Sequence, residues 1–182
     1  MAGVYPVGMN IAASWADKDL GLLVGIVVGA LVLGSATPHL FNALGGIDWR
    51  ITIATGSIVA TIGALLATGI QVGPKNNPSP PFDPKAAVIA FVHPAMRLAN
   101  FGYLGHMWEL YAMWAWVGIF LDTSFHLSGA GNDPTFWAKA STFIVIGIAG
   151  LIGCVGGGLL ADRWGRTIIT ASAMTTSAIC AL

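Results

Sequence analysis

The chain has 182 residues, of which 55% are hydrophobic and only 9% charged, with a formal net charge of zero and 24 glycines. A soluble domain carries nearer a quarter charged residues, so this composition and a mean hydropathy of +0.76 point to a fold solvated by lipid. The charge balance and the lack of any basic patch exclude a nucleic-acid partner, and no residue spacing suggests a metal or another cofactor. Cys154 and Cys180 lie inside apolar segments and read as small fillers.

Apolar stretches fall at about 1–13, 20–44, 49–70, 86–121, 136–160 and from 167 to the end. Crossing a hydrocarbon core of about 30 Å takes roughly 20 helical residues at about 1.5 Å each. The middle stretches reach that length, and the fourth has enough excess for an interfacial helix before its span. The first and last would cross only part of the bilayer and read as helices cut by the chain ends. The first residues lack a basic region and a small-residue cleavage site, so no removable secretory signal is expected. The expected class is all-α, a polytopic transmembrane helix bundle.

Within 71–85 the prolines Pro74, Pro78, Pro80, Pro81 and Pro84 leave no apolar periodicity, a linker composition. It divides the chain into 1–70, a central 71–100 and 101–182. Beyond the linker, His93, Pro94 and Arg97 interrupt an apolar run, and proline disfavours an unbroken helix there. A short interfacial helix leading into a span near Phe101 is the expectation.

Small residues recur on the spans at Gly25 and Gly29, at Gly56, Ala60 and Ala64, and at Gly147, Gly150, Gly153, Gly156, Gly157 and Gly158. They admit close helix approach, which serves ordinary tight packing or a helix that slides against its neighbours. The span from Phe101 to Leu121 holds His106 and Glu109, three residues apart and on one helical face, which Met113, Trp116 and Phe120 continue. An ionised side chain at mid-bilayer costs about 2.5–3.5 kcal/mol on insertion scales, so it faces protein or a water-filled cavity. The pair is either a structural hydrogen-bonded unit or a proton or substrate site. His39, beside Pro38, is a weaker candidate for the same role. An intramembrane enzyme using His106 and Glu109 as acid and base would need a nucleophile or metal ligands that the sequence does not offer, so no catalytic residue is assigned.

Basic residues accumulate in cytoplasmic loops. If the loop at 158–166 is cytoplasmic, alternating helices place Lys18, Lys75, Lys85, Arg97, Arg163 and Arg166 inside and leave Arg50 and Lys139 outside. Trp49 and Trp137 then mark the outer interface, and Trp15 and Trp164 the inner one.

The run Gly158-Leu159-Leu160-Ala161-Asp162-Arg163-Trp164-Gly165-Arg166-Thr167 is a short charged hairpin between two apolar segments. Asp162, Arg163 and Arg166 can pair with one another, with lipid phosphates or with a helix dipole. This run closely resembles the signature loop of the major facilitator superfamily of secondary transporters. Gly3 to Asn10, Trp15 and Gly21 resemble the end of that family's fourth helix and the start of its fifth, and the proline-rich stretch resembles its central loop.

The resemblance implies a partial fold of that family, from late in helix four to early in helix nine. Residues 1–70 would be the end of the N-terminal six-helix half, 71–100 the central cytoplasmic loop with its interfacial helix, and 101–182 the start of the C-terminal half. It implies a multi-pass protein of the bacterial inner membrane that moves a small-molecule substrate by alternating access. Its partners would be the lipid bilayer and the remaining helices of a full-length transporter. Gly158, Asp162, Arg163, Gly165 and Arg166 match the motif that holds the cytoplasmic side closed, and the partner of Asp162 would be the helix beginning around Asp19, Leu20 and Gly21. Thr167 stands where relatives have a basic residue, and Leu20 where they often have arginine. The fifth-helix antiporter pattern is met only in part by Gly25, Gly29, Gly34 and Pro38. A different reading is a small membrane protein that packs against partner helices without transporting anything.

Overall fold

Backbone amides and carbonyls find no water in a bilayer core, so an apolar chain of this kind must satisfy them within helices. The computed structural model describes residues 4–46, 48–75, 85–129 and 133–180, and every regular element among them is helical. In chain order these are α1 (Val4–Trp15), α2 (Leu20–Ala43), α3 (Trp49–Ala67), α4 (Lys85–Val92), α5 (Pro94–Ser128), α6 (Pro134–Phe143), α7 (Gly150–Trp164) and α8 (Arg166–Cys180), with π-helical turns at Ile144–Ala149 joining α6 to α7. The linker residues 76–84 and the first residues of the amino-terminal resemblance, 1–3, lie outside the described residues.

Local chemistry accounts for several helix ends. Asp48 caps α3 by accepting from the Arg50 amide at 3.0 Å, and Asp133 caps α6 by accepting from the Phe136 amide at 3.0 Å, with Pro134 preset for the first helical position. Gly165 ends α7 at φ 91°, a backbone state that a side chain would oppose, and its amide returns to the Ala161 carbonyl at 3.0 Å.

Among the described residues, three helical segments are long and apolar enough to cross a membrane: α2, α3 and the continuous Pro134–Trp164 rod made of α6, the π turns and α7. The sequence reading also put a span at 101–121 behind an interfacial helix. The structure moves that break to His93, between the eight-residue α4 and α5. From Pro94 the helix runs unbroken for 35 residues, about 52 Å at 1.5 Å each. Because Pro94 occupies the first helical position, where its missing amide goes unused, it starts α5 instead of interrupting it. Arg97, His106, Glu109, Asp122 and His126 lower the hydropathy of α5, which is not among the three.

The bundle is organised around α2. It packs against α1, α6, the π turns and, most extensively, α7, while α5 packs against α4 and α6. The α2–α7 pairing is antiparallel and nearly free of side chains at its contact line. A methyl group added at Gly25 would lie 2.5 Å from the Cys154 carbonyl, at Gly29 2.6 Å from Leu151, at Gly150 2.6 Å from Val32 and at Gly147 3.0 Å from Ala36. Two backbones in this proximity gain dispersion contact that larger residues would prevent. Ala36, Ala138, Thr142 and Ile146 fill the buried core at the π-turn end of the seam. α3 has no buried residue.

Candidate functional site

The seam ends at a carboxylate. Asp162, in the last turn of α7, accepts the Gly21 amide on Oδ1 at 2.8 Å and the Leu22 amide on Oδ2 at 2.9 Å. These are first-turn donors of α2, which have no carbonyl partner within their own helix and carry partial positive charge. Asp19 stands at the N-cap position but makes no capping bond, because its Oδ1 takes the Asp17 amide at 3.0 Å instead. Asp162 therefore caps α2 from another helix. The approach requires glycine on both sides: a methyl group on Gly21 would lie 2.5 Å from the Gly158 carbonyl and 2.6 Å from Asp162 Oδ1, and one on Gly158 would collide with the Gly21 carbonyl.

Of the pairings open to the charged hairpin, Asp162 thus takes the helix terminus. Arg163 and Arg166 are exposed and make no ion pair among the described residues. Arg166 opens α8 and borders a cleft of about 1100 Å³ between α2, α5, α7 and α8.

Glu109 and His106 both line that cleft, together with Met113, Tyr103, Cys154 and Thr170. Glu109 Oε1 accepts the hydroxyl of Ser177 on α8, a partner 68 residues away that spacing on α5 could not reveal. Trp116 and Phe120 depart from the expected face: neither lines the cleft, and both remain about two-thirds exposed.

His39 lies apart from these groups, in a second cavity of about 560 Å³ between α2, α5 and α6 that Asp122, His126 and Lys139 also line. His126 Nδ1 donates to the Asp122 carbonyl at 2.8 Å, with the Asp122 carboxylate 3.7 Å away. The sequence reading did not single out Asp122 and His126. Their spacing of four residues was a usable signal, but their convergence with His39 exists only in the folded bundle.

A third polar cluster adjoins the start of α2. The segment after α3 folds back onto the α1–α2 junction, where Lys75 pairs with Asp17. The ammonium holds the Asp17 carboxyl below its ordinary value of 3.8. A depressed carboxyl contributes its stabilisation above the ordinary value and loses it as the pH falls through the depressed one, so the contact weakens only in acid.

The molecule is a polytopic helix bundle whose two longest apolar rods are joined at one end by a cross-helix carboxylate cap. The family model of the Major Facilitator Superfamily matches residues 1–182. The chain belongs to that family and is a multi-pass membrane protein. No curated protein and no solved structure matches it.

Proposed function

We propose that the chain is part of a secondary active transporter of the bacterial inner membrane that carries a small solute by alternating access, with Asp162 as a latch on the cytoplasmic side. The observation that carries this reading is the two-oxygen contact of Asp162 with the Gly21 and Leu22 amides. It joins α7 to α2 across the linker that separates the first and second parts of the chain, and it lies at the mouth of the cleft containing Glu109. A charge-assisted pair of this kind is strong enough to bias two arrangements and weak enough to break once per cycle. Gly158, Gly165, Arg163 and Arg166 supply close approach, the turn and an inner-face charge. Glu109, with His106 beside it, is the proton-coupling group in this reading, and His39 serves the second cavity. The apolar surface left open along α3 is what the transporter's remaining helices would cover.

The test is labelling from the cytoplasmic side. With Cys154 and Cys180 replaced by alanine, a Thr170→Cys variant places a thiol in the cleft. A membrane-impermeant maleimide should label it several-fold faster when Asp162→Ala is added, because losing a cap of this kind costs about 0.5–2 kcal/mol. Unchanged labelling would count against a latch and favour the other reading, a helix-packing membrane subunit, which α3, with no buried residue, also suits.

A further inference from the structure

Asp162 can grip α2 only if the Gly21 and Leu22 amides are held where its carboxylate reaches them, and Asp19 does not supply that order from within the helix. The structure supplies it from elsewhere. Ser14, buried in the last turn of α1, donates its hydroxyl to the Ile11 carbonyl at 2.6 Å and accepts the Gly73 amide at 2.8 Å. The Ser14 carbonyl accepts the Lys75 amide at 3.2 Å, the Trp15 indole donates to the Gln71 carbonyl at 2.9 Å, and the Lys75 ammonium donates to the Ala16 carbonyl at 3.0 Å and pairs with Asp17. Residues 71–75 are thus bound along residues 14–17. Gly73 is buried at the centre of the contact, where a methyl group would lie 2.6 Å from the Ser14 carbonyl carbon and 2.8 Å from the Trp15 nitrogen.

We propose that residues 71–75 form a strap that positions the amino terminus of α2 for Asp162, with Ser14, Gly73 and Lys75 as its positioning residues. The path is short. Asp17, held by Lys75, gives its own amide to Asp19 Oδ1, and the Asp19 carbonyl accepts the Leu23 amide at 3.0 Å. The two amides that Asp162 takes lie between those bonds. Strap and latch therefore share one loop, 16–19, and the chain leaves this same place for the linker to the second part of the molecule. The inference rests on the latch reading and adds what controls it.

The experiment is amide hydrogen–deuterium exchange of the full chain in lipid nanodiscs, read at Gly21 and Leu22 with interior amides of α7 as the folding control. Gly73→Val should raise exchange at both amides roughly tenfold, the size of a lost partner for a buried donor, approaching the level that Asp162→Ala produces directly. Ser14→Ala, which adds no atoms, should move both amides in the same direction by less. If α7 also loses protection in Gly73→Val, Ser14→Ala alone decides. Wild-type protection at Gly21 and Leu22 while the residue 73 and Lys75 amides exchange faster would overturn the strap. Asp162→Ala raising exchange where neither strap variant does would sink the strap and leave the latch standing. Failure of Asp162→Ala to change cytoplasmic labelling at position 170 would instead sink the latch, whatever the strap does.

Discussion

Asp162 and Glu109 are both acidic residues on apolar rods, yet they differ in what surrounds them. Asp162 meets two backbone amides, one on each carboxylate oxygen, and so ties α7 to the start of α2. Glu109 lines a cleft, and its hydrogen-bond partner among the described residues is the Ser177 hydroxyl on α8. In a complete transporter, Glu109→Gln should abolish proton-driven uptake while sparing substrate exchange, and uptake at the normal rate by that variant would remove Glu109 from the coupling role. Sequence resemblance made the target of Asp162 legible, because the motif and the start of α2 could both be placed along the chain. Ser14 and Gly73 were not legible. They are an ordinary serine and an ordinary glycine 59 residues apart, and only folding turns them into a buried hydrogen bond. The Lys75–Asp17 pair is exposed on both sides, where an ion pair contributes little. The buried Gly73 amide, which would lose its partner without Ser14, costs about 1–3 kcal/mol.

Between helices, stability concentrates in the α2–α7 seam. Gly158→Ala should be the most disruptive single methyl addition, because the obstacle is the Gly21 carbonyl and not a side chain that can turn aside. Overpacking of this kind costs about 1–3 kcal/mol, and a thermal melt in detergent should show the loss. Gly153→Ala, with open space around its added methyl, is the matched control and should leave the melt unchanged. The glycine spacing announced close packing but not the partner, since several helices offered small residues at similar intervals. The π turns at Ile144–Ala149 were also hidden: a run of isoleucine, valine, glycine and alanine reads as plain helix. They face α2 near Pro38, whose ring removes one helical hydrogen bond, so the two rods are irregular at the same level. Such irregularities recur at functional sites.

At the scale of the whole molecule, the contacts put the end of α1, the start of α2, the residues after α3 and the α7–α8 turn together at one end of the bundle. That is the grouping which the distribution of lysine and arginine assigns to the cytoplasm. Reporter domains fused after Gly46 and after Gly129 should be active only outside the membrane, and one fused after Gly165 only inside; the reverse pattern would invert the topology. Composition alone made the helical membrane class legible, whereas the bareness of α3 was not, because an apolar helix reads the same whether it faces lipid or protein. The cap on α2 has one more consequence. If Asp162 acts as the proposed latch, its release frees two carboxylate oxygens and two amides, and each must take a new hydrogen bond from water. Opening is therefore a water-uptake reaction. Its equilibrium depends on water activity, and solutes excluded from the protein surface favour the closed form without touching any residue of the cleft.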